Sequence, residues 1–387
     1  MRMVAVRRRP MPERPAPLVL VTTPAGDRPF GTHAAIAADG QRLLATELSH
    51  RLGGMGAAVR PLSAVRAESF HWGRWFTDAA RSTLSEAAAT GAAVDAIGYA
   101  GGGAMALVSD DGLDQLLSPI PGEAVANNRF SADAFVVAGD LDRALAALAE
   151  CDSDNAAARR LTDAGFTVRD LGTTPWARFD VDTTLDLALL RLATRLPGTR
   201  PLGQALRGYL EMARLPGDRG LEVPQLARIS EVMRDRSAEL VVAGRVPAST
   251  WGELETETAC RVRCFIEERG MRSARGAGTP PRSILAALMR RSSSSALVAE
   301  LAELGDAVVL DSRVLMAAVA GSADAASWPP EEERFASDFG DGSRIATPWL
   351  RELTEAAAAS PVPFLLGGHA MVSDGLRLIV AAAWQGQ

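Results

Sequence analysis

The chain of 387 residues contains no lysine, so all 41 of its basic side chains are arginine. This excludes a Schiff base, a lysine nucleophile and a phosphate-binding lysine, and leaves guanidinium groups, backbone N–H groups or a metal ion to hold any anion. Cysteine is nearly as scarce: Cys151, Cys260 and Cys264 match no zinc-ligand spacing and fit a reducing compartment. No apolar run reaches the roughly 18 residues that a membrane-spanning helix needs. After Arg7-Arg8-Arg9, the place of an export signal's apolar segment is broken by Pro10, Pro12, Pro15 and Pro17. Residues 1–16 therefore read as a disordered basic tail and the protein as cytoplasmic, with no membrane partner. Excess positive charge is absent too, since a net charge of −6 provides no field for general nucleic-acid binding.

What is present is the composition of an ordinary folded protein, 47% hydrophobic and 23% charged, in a chain long enough for two domains. Apolar runs of strand length alternate with segments of helical period, which predicts an α/β fold. In the first half the expected strands are Leu18–Thr22, a short one near Val59, Val94–Tyr99, Phe135–Ala138 and Thr167–Arg169, with helices over Ala34–Leu52, Arg74–Thr90, Leu141–Glu150 and Leu185–Leu196. Thr183 and Asp186 have capping-box spacing, and Gly165 stands where a helix ends. Pro197, Gly198 and Pro201 close this half. The division predicted is a domain over 17–198, a helical connector over 199–236 and a smaller α/β domain over 237–387. In the last of these, strands are expected at Glu239–Gly244, Ala307–Asp311 and Pro363–Leu366, and a helix is expected to run from Thr250 to Arg269.

The stretch most informative about chemistry runs from Asn127 to Leu190. It holds Asn127, Asn128 and Asp133, then Asp154-Asn155, then Arg178-Phe179-Asp180-Val181-Asp182-Thr183-Thr184-Leu185-Asp186-Leu187. In an extended segment Asp180 and Asp182 project from one face, and two hard carboxylates so placed suit Mg²⁺ shared with phosphate oxygens. The last part resembles the D-x-D-T-P-x-D-L segment that ends the catalytic domain of GT-A nucleotidyltransferases of the molybdenum-cofactor guanylyltransferase type, with Thr184 in place of the proline. The resemblance covers roughly residues 17–196. It implies a Rossmann-like three-layer domain, a nucleotide or sugar-nucleotide substrate with a small anionic acceptor, and Asp180 and Asp182 as metal ligands and catalytic groups. It also implies that the loop after the first strand, with Gly26, Arg28 and Gly31, holds phosphates. The family's loop carries a lysine and its central strand ends in a metal-binding aspartate. This chain has neither, and offers Gly101-Gly102-Gly103 after its central strand. Those glycines mark backbone that approaches a ligand or a neighbouring strand closely. Asn127, Asn128 and Asp133 are candidates to bond a base, sugar or acceptor, or else turn formers.

In the second half, Glu253, Glu257 and Arg261, with Arg263 and Glu267, have the spacing of helix-surface ion pairs. The alternative is an anion-binding face of Arg245, Arg261, Arg263 and Arg269. Cys260 and Cys264 fall on one face of the predicted helix as packing residues. Gly367-Gly368-His369 follows a strand directly, which makes His369 a candidate acid/base or phosphate contact, with Asp311 at the end of a further strand. His33, after Gly31-Thr32, is the other histidine candidate. Three readings follow: a Mg²⁺-dependent transferase, a non-catalytic nucleotide-binding or assembly protein on the same scaffold, and an enzyme whose chemistry lies at Asp311 and His369. The sequence sets neither the acceptor nor the oligomeric state.

Overall fold

The structure, a computed structural model, describes residues 15–26, 28–64, 70–267 and 280–385. Leu18–Val21 is apolar on both faces and buried on both, the pattern of a strand inside a covered sheet. It belongs to β1 (Leu18–Thr23), which is followed by α1 (His33–Gly54), β2 (Ala58–Ser63), α2 (Trp72–Ala89) and β3 (Ala96–Ala100). Next come α3 (Asp110–Leu116), β4 (Glu123–Ala126), β5 (Ala134–Ala138), α4 (Leu141–Ala149), α5 (Ala157–Asp163), β6 (Thr167–Asp170) and α6 (Thr184–Ala193). The six strands form one mixed sheet of order β2-β1-β3-β5-β4-β6, in which β5 runs against its neighbours. From β1 the chain goes first to β2 on one side and then to β3 on the other. The crevice at the carboxyl ends of β1 and β3 is therefore a topological switch point, where α/β sheets bind ligands.

Helices α7 (Gln204–Met212) and α8 (Pro224–Arg234) lead to β7 (Glu239–Gly244), α9 (Ala248–Glu257) and β8 (Arg261–Ile266). Helices α10 (Ile284–Arg291) and α11 (Ser294–Glu303) precede β9 (Ala307–Asp311), and α12 (Arg313–Ala320), α13 (Glu331–Asp338) and α14 (Pro348–Ala358) precede β10 (Phe364–Gly367) and α15 (Leu376–Ala383). This second sheet is parallel throughout, in the order β10-β9-β7-β8, with its switch point between β7 and β9. The helix expected to run to Arg269 is corrected here. It stops at Glu257, and Arg261–Ile266 is an edge strand paired with β7. The reason is a period of two: Val262 and Cys264 pack on the core while Arg261 and Arg263 point to solvent, charges that suit an edge. Arg261 and Arg263 consequently reach Glu239 on β7, at 3.8 and 2.6 Å, rather than a helical neighbour. They do not gather with Arg245, and Arg269 lies outside the described residues.

The two halves share a core, in which α1 and α6 meet the second sheet. Residues Thr184–Leu190 of α6 are buried on every side, as a helix apolar all round must be. Leu185, Leu187 and Leu189 join one apolar cluster with Leu240 and Val242 of β7, Leu365 of β10 and Ile379 of α15. A second contact lies at the start of α1, where Ala34 and Ala37 pack on Phe335 of α13. His33 is completely buried there, 5.6 Å from the Phe339 ring, with no hydrogen-bond partner for either ring nitrogen. Burial lowers its pKa from 6.5 to about 4, with Arg219 and Arg344 adding to the effect and Asp341 opposing it.

This histidine makes stability depend on pH. The unfolded chain takes up the proton near pH 6.5 and the folded chain only near pH 4, so stability falls as pH falls between those values. We expect a loss of about 2 kcal/mol between pH 7.5 and pH 5 from this group. Urea denaturation across that range should flatten by this amount in His33→Phe, and an unaltered slope in the variant would refute the assignment.

Candidate functional site

At the first switch point the glycine turn is wedged between protein backbones. Gly101 N donates to the Asp133 carbonyl at 2.8 Å, Gly102 N to Thr22 Oγ1 at 3.1 Å, and the Gly103 carbonyl accepts from Val181 N at 3.2 Å. A Cβ on Gly102 or Gly103 would collide with the carbonyl oxygens of Thr22 and Val181, respectively. Of the two partners that a glycine turn can approach, these three residues take the protein chain. Their effect is to fix the segment 180–182 beside the end of β3, where Asp180 bridges Ala104.

Acidic side chains collect around this turn. Asp133 precedes β5, and Asp154 accepts from the Tyr99 hydroxyl of β3 at 3.4 Å. Asp180 is half-buried and Asp182 exposed. Burial raises Asp133 to about 8, helped by the charges of Asp154 and Asp182. Burial likewise holds Asp180 well above the carboxylate range, with Asp182, Asp133, Asp186 and Asp154 acting in the same direction. Four carboxyl groups thus sense one another at a place where no arginine neutralises Asp133 or Asp180 to any comparable degree. Asp186 has a different task. It is raised to about 7 by burial and Asp182, and its Oδ2 accepts from Asp182 N (3.1 Å), Thr183 N (2.8 Å) and Thr183 Oγ1 (2.9 Å), closing the capping box of α6.

The remaining expected residues fall into place around this cluster. Asn127 is buried and spends its amide internally, accepting from Ala134 N at 3.0 Å and donating to the Ala177 carbonyl at 3.2 Å and to Asp133 at 3.4 Å. Asn128 accepts from Phe130 N at 3.1 Å and shapes the loop that leaves Phe130 73% exposed. Gly26 and Gly31 have φ of 68° and 74°, so the loop after β1 needs glycine for its backbone. Arg28 projects from that loop to Glu331 of α13, at 3.4 and 3.2 Å from Nε and Nη2.

The carboxyl edge of the second sheet is also charged, but its charges are matched. Asp311 is fully buried and accepts four hydrogen bonds: from Arg245 N (3.3 Å), Nε (2.6 Å) and Nη2 (3.0 Å), and from Arg313 N (3.2 Å). Burial pushes Asp311 up, but Arg245 overrides it and holds the carboxyl below its ordinary value, assisted by His369 and Arg313. Gly367 is in register with Asp311, so His369 does come close to that carboxylate. Arg313 and Asp338 form a second buried pair at 2.5 and 2.7 Å. A groove of about 570 Å³ between α9 and α15, with Glu253, Arg377 and Trp384 in its lining, shares no residue with either cluster.

Sequence reasoning named Asp154-Asn155 within the informative stretch but gave Asp154 no role at the site, where it joins the acidic cluster. It also gave no role to Glu331 and Glu332, because their contacts lie about 300 positions away. Among the described residues, no group of three or more His, Cys, Asp or Glu side chains has the arrangement of a complete metal site. No known protein-family model matches the chain and no curated protein is detectably similar to it.

Because Asp133 keeps a proton in the fold up to about pH 8 and releases it near 3.8 when unfolded, the cluster costs stability progressively as pH rises through that window. Asp133→Asn should therefore stabilise the protein at pH 8 by at least about 1 kcal/mol and have little effect at pH 4. Thermal unfolding at the two pH values measures this. A substitution equally costly at both would show that the carboxyl group is not under electrostatic strain.

Proposed function

We propose that the carboxyl edge of the first sheet binds a nucleotide or sugar nucleotide with Mg²⁺ and transfers a group from it to a small anionic acceptor, as a GT-A-like nucleotidyltransferase does. The observation that carries this reading is the convergence of Asp133, Asp154, Asp180 and Asp182 beside the switch-point turn, with mutual repulsion that a divalent cation would relieve. The donors fit Mg²⁺, which commonly takes one or two carboxylates and completes its shell with water and substrate phosphates. Asp180 and Asp182 would hold it, and it would supply charge neutralisation at the transferred group.

The chain's own residues do the positioning. The glycine turn sets the height of the 180–182 segment, and the Asp186 capping box fixes its exit into α6. Asp133, protonated near neutral pH, is able to donate a hydrogen bond. Phe130 offers an exposed aromatic face for a base. Asp311 is less suited to acid/base work, because each of its oxygens is already occupied by two donors. One observation favours a non-catalytic variant of the same reading: Arg28, the cation of the first loop, is engaged by Glu331.

A thermal-shift screen of nucleoside triphosphates and sugar nucleotides, with and without Mg²⁺, tests the proposal. A bound nucleotide at 100 times its Kd should add about 2.7 kcal/mol of stability. That gain should require Mg²⁺ and disappear in Asp182→Asn. Absence of any metal-dependent shift would overturn the reading, and binding without turnover of any acceptor would select the non-catalytic form.

A further inference from the structure

Helix α13 opens with three consecutive acids, Glu331, Glu332 and Glu333, which favour a helix N-terminus. Glu333 serves its own half, accepting from Thr347 N at 3.0 Å. The other two cross to the first half. Glu331 takes Nε and Nη2 of Arg28 at 3.4 and 3.2 Å, while the third guanidinium nitrogen donates to the Ala25 carbonyl at 3.0 Å. Glu332 Oε2 accepts from Ala34 N at 2.9 Å, one of the N–H groups that the first turn of a helix leaves without an internal partner. A guanidinium group and a helix-start N–H next to a loop that leaves β1 at a switch point are the donors that hold phosphate oxygens.

We propose that Glu331 and Glu332 are a built-in competitor, two carboxylates of the second half that occupy the phosphate-binding donors of the first-strand loop and must be displaced when a polyphosphate binds. The proposal extends the nucleotide reading above by giving that site a regulator. A second observation shows that the contact is poorly satisfied when closed. His33 begins α1 beside it, wholly buried with both ring nitrogens unpartnered, and Glu332 Oε1 is also buried without a hydrogen bond. A polyphosphate offers acceptors to the same Arg28 nitrogens and Ala34 N–H, and displacing Glu332 returns its unpartnered oxygen to water.

Calorimetric titration of the full chain with inorganic tripolyphosphate, without metal and at low salt, tests the competition. The double variant Glu331→Gln/Glu332→Gln should bind at least tenfold tighter than the unaltered protein, and adding Arg28→Gln should cancel the gain. Equal binding, weaker binding or no binding to the double variant would overturn the inference. Should the double variant fail to fold by circular dichroism, Glu331→Gln alone is compared, with a gain expected and equal or weaker binding again decisive against. Nucleoside triphosphate with Mg²⁺ forms a separate arm. Tripolyphosphate gain without any nucleotide binding would leave the competitor standing and remove the nucleotide reading.

Discussion

The structure turns on one carboxylate. Asp186 is 3% exposed, and its Oδ2 gathers the N–H groups of Asp182 and Thr183 together with the Thr183 hydroxyl. The same three bonds end the segment that carries Asp180 and Asp182 and start the helix that is buried between α1 and the second sheet. Loss of the carboxylate would leave buried donors unsatisfied, at about 1–3 kcal/mol each, in the place where geometry has to be most exact. A structural device and a candidate chemical one thus share a single turn.

The two sheets treat charge in opposite ways. In the second half two buried acids have guanidinium partners: Asp311, at the carboxyl edge of the sheet, with Arg245 and Asp338 with Arg313. Breaking either pair would strand a buried charge, so these groups behave as fasteners. At the corresponding edge of the first sheet the acids face one another, and burial with like charge drives Asp133 and Asp180 toward the neutral form. A fold that neutralises one edge and leaves the other in electrostatic strain concentrates its unmet demand for positive charge at the second of these.

Much of this was legible locally. Strands such as Leu18–Thr23 and Phe135–Ala138 announce themselves as short apolar runs, and the box at Thr183 and Asp186 is a matter of spacing and residue type. The strand Arg261–Ile266 was not, because its charges also fit helical i, i+4 pairing; the alternation of Arg261, Val262, Arg263 and Cys264 is the signal for a strand that this pairing masked. The grip of α13 on α1 leaves no local trace at all. Acids at a helix start satisfy a local rule, and nothing near Glu331 or Glu332 in the chain indicates that Arg28 and Ala34 are their partners.

The buried helix α6 has a consequence for synthesis. Leu185, Leu187 and Leu189 are covered in part by α15, an element from far downstream in the chain. A nascent first half leaving the ribosome therefore carries an uncovered apolar flank until α15 has emerged, and it is a natural client for chaperones during that interval.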